Sequence, residues 1–429
     1  MTDSMRAFRE EARRLDRDDP LKRFRRRFAV PRGTVYLDGN SLGLLSIDSE
    51  RSLRKALGAW RTLAIRGWLE ADPPWFTLAE GLGARCAPLV GAEPDEVVMS
   101  GTTTVNIHAL VNTFYKPEGK RTKIVADELA FPTDAYALKS ALKLRGLDPA
   151  EHLVLVPSQD GLTLEEREIA ERFDGTVALV LLPSVLYRSG QLLDLEFLTA
   201  RARERAIPIG FDGSHSVGAV PHEFDRWGID FAMWCGYKYL NGGPGTTAFL
   251  YVNRRHHGKE PALAGWFGSD KRRQFDMALD FTPAPDAGRW QISSPSILNA
   301  APLIGSLGIF EEAGIAAVRG KSLRLTRFLM DMADALLAGE PYGFSIGTPR
   351  EEARRGGHVA LLHPEAMRVA EALRGRGVVP DFRPPNIVRV APVALYNTFQ
   401  EVWELVRHLR EIIERREYER FPAERKAIS

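Results

Sequence analysis

Cysteine is scarce in this 429-residue chain, which holds only Cys86 and Cys235. Two distant thiols exclude a disulfide framework, and their spacing excludes a structural zinc site. A surplus of charge of one sign is also missing. Lys and Arg number 58 against 56 Asp and Glu, a formal net charge of +2, so the balance gives no reason to expect a nucleic-acid partner. Long hydrophobic runs are lacking too. The longest, Val177 to Tyr187, is broken by Pro183 and falls short of the roughly 20 residues a bilayer span needs. The first thirty residues mix Arg with Asp and Glu and hold no apolar core of a secretory signal. These absences lead to the expectation of a soluble, cytoplasmic protein with no membrane and no metal. What is present, 44% hydrophobic and 27% charged residues, is globular composition in a chain long enough for more than one domain.

Residues Met1 to Val30 read as a charged helix interrupted at Asp19-Pro20, followed by the basic cluster Lys22 to Arg27. Such a cluster is a solvated face or an arm onto a partner subunit. Tyr36 to Gly43 is too rich in turn formers for a helix and reads as a loop. From about Ser49 onward, helical periodicity alternates with short β-rich runs: Glu96–Met99, Lys123–Val125, Val177–Leu182, Pro208–Phe211, Asp230–Trp234 and Thr247–Tyr251. Strands alternating with helices predict a mostly parallel sheet covered on both faces. After about Ala300 the texture changes to amphipathic helices, Ile304–Glu312 and Ser322–Leu337, and a charged final helix, Gln400–Arg420. That predicts a second, smaller α+β domain. The chain divides accordingly into a helical arm and loop (1–48), a large domain (49–300) and a small C-terminal domain (301–429).

Open α/β sheets bind ligands beyond the carboxyl ends of their strands, and four such loops stand out. Ser100-Gly-Thr-Thr-Thr104 precedes a helix predicted over Val105–Tyr115 and offers hydroxyls and backbone N–H groups to an anion. Plain helix capping would account for it equally well. Phe131-Pro-Thr-Asp134 sets an aromatic ring beside a new helix start, either as a stacking platform or as a core residue. Asp212-Gly-Ser-His215 places a carboxylate at a strand end, where it can hold a protonated ring nitrogen; His215 alone reads as readily as a turn residue. The fourth loop contains Lys238, one of only 12 lysines among the 58 basic residues, between two tyrosines and before a glycine-rich turn. A desolvated amine loses pKa and becomes nucleophilic, which suits a Schiff base. Asp212 and Lys238 are 26 residues apart, enough for one crossover and one further strand, so both can face one pocket. Together the four loops suit pyridoxal phosphate: Lys238 for the aldehyde, Asp212 for the pyridine nitrogen, Phe131 for the ring face, Thr103 and Thr104 for the phosphate.

These residues resemble the kynureninase family, within the aspartate-aminotransferase-like fold (fold type I). The resemblance is carried by Tyr-Leu-Asp-Gly-Asn-Ser-Leu-Gly at 36–43, Thr-Val-Asn-Ile-His at 104–108, Phe-Pro-Thr-Asp at 131–134, Tyr-Arg-Ser-Gly-Gln at 187–191, the stretch from Trp227 to Gly245, Gly-Trp-Phe-Gly at 265–268, and Ile387 to Asn397. It implies an α/β fold with a mostly parallel seven-stranded sheet and a smaller C-terminal domain. It also implies a homodimer with shared active sites and hydrolysis of an amino-acid substrate, L-kynurenine or its 3-hydroxy form, to the aminobenzoate and L-alanine. Carried over residue by residue, it implies Lys238, Tyr237 and Asp212 as the catalytic groups. The cofactor would be held by Thr103, Thr104, Phe131, Pro132, Thr133, Asp134, Asp212, His215, Tyr237 and Lys238, with Trp266 reaching the partner subunit's cofactor and Ser294 at a further contact. Arg389 would pair bidentately with the substrate α-carboxylate, with Asn40, Ser41 and Trp68 also on the substrate side. Ser294 stands where many family members carry Asn or Thr, and Trp68 resembles the bulky wall of members that favour an unsubstituted ring. An aminotransferase, a cysteine desulfurase, an enzyme for a ring-modified kynurenine and a non-catalytic binding protein are the competing readings. Cys86 in an apolar helical segment and Cys235 at a strand end speak against the desulfurase.

Overall fold

A strand covered by helices on both faces can be apolar at every position, and the large sheet is built from such strands. The computed structural model describes residues 2–422; Met1 and residues 423–429 of the outermost segments lie outside the described residues. In chain order the strands are β1 (Val97–Met99), β2 (Lys123–Asp127), β3 (Leu153–Val156), β4 (Val177–Pro183), β5 (Ile209–Asp212), β6 (Phe231–Trp234) and β7 (Phe249–Val252). Every residue of β4, β5, β6 and β7 is buried. Across the sheet the order is β1-β7-β6-β5-β4-β2-β3. The pairs β6–β5, β5–β4, β4–β2 and β2–β3 are parallel, whereas β7 runs antiparallel to both β6 and β1. The mostly parallel seven-stranded sheet read from the sequence is therefore present. β3, absent from the six runs singled out above, is an edge strand in which only Val156 is buried.

The second core lies on a four-stranded antiparallel sheet of order β10-β11-β9-β8, made of β8 (Ser345–Ile346), β9 (Val359–Leu362), β10 (Asp381–Arg383) and β11 (Ile387–Val390). The helices Ile315–Leu336, Ala366–Gly375 and Phe399–Glu414 cover it. The last of these starts in a reciprocal cap: Thr398 Oγ1 accepts from Glu401 N, and a Glu401 carboxylate oxygen accepts from Thr398 N. The helix Ile297–Ala313 contributes Leu303, Leu307 and Phe310 to the core of the large sheet, not to this one.

The N-terminal segment is packed on its own chain. The helix Asp3–Arg17 buries Met5 and Ala12 in the second core, and Trp403 Nε1 donates to Met5 O at 3.0 Å. The basic cluster, a 3-10 turn over Lys22–Arg27, buries Phe24 and pairs Arg25 with Glu401 at 2.7 Å and Arg27 with Asp48 at 2.8 Å. Val35–Tyr36 then pairs in parallel with Val378–Val379. This brings the loop through Gly43 to the seam between the two cores. Gly43 N donates to Tyr237 O at 2.8 Å. A Cβ on Gly43 would fall 2.5 Å from the Lys238 carbonyl oxygen, so only glycine permits this approach. No single helix among the described residues is long and apolar enough to cross a membrane.

Candidate active site

β5 and β6 are neighbours, with Asp212 in register with Met233, so the loops that follow them open side by side. Asp212 ends β5 and accepts from Ser214 N at 2.7 Å. Gly213 N donates to Met233 O at 2.8 Å, tying the turn to β6. Lys238, past the end of β6, places Nζ 3.0 Å from His215 Nε2. Burial, and then the Lys238 and Arg389 cations, hold His215 far below the ordinary imidazole range. The ring is neutral, and its Nδ1 has no partner. Buried Asp134 feels the charge of both Asp212 and Lys238; burial and the like charges of Asp212 and Asp127 push its carboxyl well upward.

Phe131 lies 6.0 Å from Lys238 Nζ, measured to the ring centre, and stands edge-on to Tyr187 at 5.4 Å. Pro132 opens the helix Pro132–Lys143 at the position where a missing N–H costs nothing. The hydroxyls of Thr104 and Thr133 are 2.8 Å apart, joining the two loops. The helix expected from Val105 begins at Thr103 and runs to Phe114, so Thr103 and Thr104 occupy its first turn, where N–H groups are free for an anion. Burial, then Cys235 and Asp212, push the Tyr237 phenol upward, so it stays protonated.

Across the seam, Arg389 on β11 is 1% exposed and lies 2.5 Å from Asp381 Oδ2 through Nη2. Nη1 donates to Tyr187 O and Nη2 to Ser41 Oγ, both at 2.8 Å. Asn40 beside Ser41 is fully buried, and neither amide atom has a partner. Burial and the neighbouring Asp381 push the Asp38 carboxyl up to about 6.

Two groups of the predicted residues thus come together: Asp212, His215, Tyr237, Lys238 and the 103–104 and 131–134 turns on one side, and Arg389, Ser41 and Asn40 on the other. Trp68, Trp266 and Ser294 are placed differently. Trp68 packs on Trp75 and Phe267 at 6.0 and 5.7 Å, and Trp266 stands edge-on to Phe275 at 5.9 Å. Ser294 is exposed and lines a cavity of about 270 Å³ with Gly101 and Val105. Tyr187, Asp38 and Asp381 carry parts of the site that the residue-by-residue reading did not assign. Tyr187 and Asp38 lie inside motifs quoted above, whereas nothing in the sequence marks Asp381.

The residues fit pyridoxal phosphate. An amine beside a neutral imidazole, a carboxylate fixed at a strand end, an aromatic ring and a helix first turn with free N–H groups match its aldehyde, pyridinium, ring face and phosphate. The sheet with one reversed strand, followed by a smaller α+β unit, is the fold of type I pyridoxal-phosphate enzymes. Two solved structures share it: a cystine C–S lyase with glycine linked to its cofactor (TM-score 0.77, 17% identity, 90% of this chain and 99% of that one) and an apo cysteine desulfurase from Thermococcus onnurineus (TM-score 0.75, 18% identity, 94% and 98%). Below 25% identity they show the fold alone.

Closer likeness comes from sequence. Residues 318–409 match the kynureninase C-terminal domain. Kynureninases of Geobacillus thermodenitrificans and Bacillus anthracis are 54% and 53% identical to this chain over 420 residues, 98% of both partners in each comparison. The chain belongs to the kynureninase family.

Proposed function

We propose that this chain is a kynureninase, hydrolysing the Cβ–Cγ bond of L-kynurenine to anthranilate and L-alanine. The observation that carries the reading is identity above half over nearly the full length of curated kynureninases. Water is added across the bond: its hydroxyl goes to the carbonyl carbon, which leaves as the carboxyl of anthranilate, and hydrogen goes to Cβ, which becomes the methyl of alanine. Pyridoxal phosphate, when bound, supplies the aldehyde that captures the substrate amine and the ring that takes up electrons from the adjoining carbons.

The chain's own groups hold and move protons. Lys238 Nζ, facing a neutral His215, is the base for the substrate Cα proton. Asp212, fixed by the Ser214 N–H, keeps a proton on the pyridine nitrogen. Tyr237, held protonated by burial, serves as acid at the reacting carbons. Thr103, Thr104, Phe131, Pro132, Thr133, Asp134 and His215 cradle the cofactor. Arg389 receives the α-carboxylate, with Ser41 and Asn40 beside it, so the amine and acid ends of the substrate are held from two different cores.

The active form is a homodimer with shared sites, acting in the cytoplasm. Trp60, Ile65, Leu69, Phe275, Met277 and Leu279 are exposed, which supports a covering partner. In that arrangement Trp266, Ser294 and Trp68 complete the cofactor and ring walls. The test is incubation with L-kynurenine while anthranilate fluorescence and alanine are followed. Stoichiometric release of both, without any added 2-oxo acid, is expected. A requirement for an oxo acid, or no anthranilate, would refute the reading in favour of a transaminase or a binding protein.

A further inference from the structure

His358 has no role in the site described above. It follows Gly356-Gly357, stands immediately before β9 and is fully buried. Neither ring nitrogen meets a partner in good hydrogen-bond geometry, a costly condition for a buried polar group, although the Tyr187 backbone lies near enough to pull weakly on the ring's proton.

The strand register fixes the direction of its side chain. Ala360 lies opposite Arg389 in the antiparallel pair β9–β11. Side chains alternate along a strand, so His358, two residues before Ala360, projects from the same face of the small sheet as Arg389. Its ring centre is 5.8 Å from that of His215, which meets Lys238 Nζ at 3.0 Å. Lys238, His215, His358 and Arg389 therefore form a row across the seam between the two sheets. The loop over this row is shaped to it. Gly190 has a φ of +78°, and a Cβ there would fall 2.7 Å from the His358 carbonyl oxygen and 3.2 Å from Nε2.

Buried polar atoms without partners gather at the Arg389 end of the row, acceptors such as Asp38 Oδ1 among them. Arg389 Nε is buried and unpartnered, as are the Asn40 amide and both nitrogens of His358. Burial, then Arg389 and Lys238, hold His358 far below the ordinary imidazole range. It is a neutral ring with one N–H to give. Arg389, already paired with Asp381 through Nη2, keeps its Nε without a partner, so this end of the seam can still take an anionic group. The amino-acid substrate brings one such group.

We propose that His358 is a substrate-binding residue that donates an imidazole N–H to the substrate α-carboxylate alongside Arg389. The proposal rests on the reading of the substrate as L-kynurenine.

The test uses the cofactor-loaded full chain and two ligands: L-kynurenine, and kynuramine, the same molecule without the α-carboxylate. His358→Phe keeps a flat ring and removes the N–H. KM for L-kynurenine is expected to rise about 10- to 100-fold, the range for one hydrogen bond to a charged group, with kcat changing far less. Kynuramine, measured as an inhibitor and by calorimetry, should bind both proteins equally. His358→Asn, which restores an N–H, should recover part of the loss. Equal weakening of the two ligands would make His358 a packing residue and overturn the proposal, as would an unchanged KM. Should His358→Phe fail to load the cofactor, the two ligands are compared on His358→Asn and His358→Gln, where a loss confined to the carboxylated ligand is still required. Calorimetry reads this comparison independently of turnover, so a wild-type protein that releases no anthranilate would strike the proposed reaction and not the carboxylate contact.

Discussion

Lys321 and Asp19 form an ion pair with Nζ 2.7 Å from Oδ2 and only 3% of each side chain exposed. It fastens the helix Ile315–Leu336 to the N-terminal segment. Asp19 also accepts from Leu21 N at 2.9 Å. Asp16, which accepts from Phe399 N and Gln400 N at 2.7 and 3.0 Å, adds its charge to the same amine. Burial nevertheless outweighs the carboxylates of Asp19, Asp16 and Glu401 and pulls the Lys321 amine below its ordinary range. Lys321→Met preserves the stem and removes the charge, stranding Asp19 in a water-poor place. The loss should match that of a broken buried pair, about 3–5 kcal/mol. An exposed pair such as Arg54–Glu50, with side chains 77% and 43% exposed, should contribute only about 0.2–1 kcal/mol. Urea unfolding followed by tryptophan fluorescence separates the two cases. Lys321→Met should lower the midpoint strongly at unchanged slope, while Glu50→Ala barely moves it. The double variant Asp19→Asn with Lys321→Met should recover much of the loss, because Asp19 no longer carries a stranded charge. A Lys321→Met cost below about 1 kcal/mol would put the pair in the exposed class and refute the argument.

Lys238→Ala removes the amine proposed to capture the cofactor aldehyde, so both the visible absorbance of covalently held pyridoxal phosphate and anthranilate release should vanish; surviving turnover would remove Lys238 from that proposed role. Asp127, at the end of β2, has its carboxyl pushed up to about 7 by burial, from an ordinary 3.8. A raised acid binds its proton more tightly in the folded state, so its contribution to stability is complete below about pH 4 and is lost as pH climbs toward 7. That loss is at most about 4 kcal/mol, roughly three pH decades at about 1.4 kcal/mol each. Asp127→Asn should therefore gain on the wild type in thermal midpoint between pH 4 and 8; a gap that stays constant over that range would show that Asp127 does not titrate there.

The large sheet was legible because it follows from local rules. Uninterrupted apolar runs such as Val177–Pro183 can only be strands buried on both faces. A carboxylate or amine closing or following such a run, as at Asp212 and Lys238, must lie at the carboxyl ends of the strands. Boundaries slipped where polar residues enter a helix: Thr103 and Thr104 look like loop, yet they make up a first turn. The small sheet was scarcely readable. β8 has two residues and β10 has three, two of them charged, so no hydrophobic period is long enough to register. Trp68, Trp266 and Ser294 could be named only through family resemblance, since nothing in the periodicity of one chain points to them.

The same limit explains why His358 and Asp381 escaped notice while Arg389 did not. Arg389 sits in a quoted motif, but its environment is assembled from four separate segments: Ser41 from the N-terminal loop, the Tyr187 carbonyl from the large domain, Asp381 from β10, and His358 before β9. Of these the N-terminal loop is decisive. Ser41 holds Arg389 at one end, while two residues later Gly43 N is bonded to the Tyr237 carbonyl, next to Lys238. Two residues of chain thus link the carboxylate anchor to the lysine turn. An extended residue spans at most about 3.6 Å, so the cores cannot separate far at this point without breaking one of those bonds. Under the roles proposed for Lys238 and Arg389, selection for an α-amino acid follows from that link. The loop sets the distance between the group that receives the amine and the group that receives the acid, although it supplies neither charge itself.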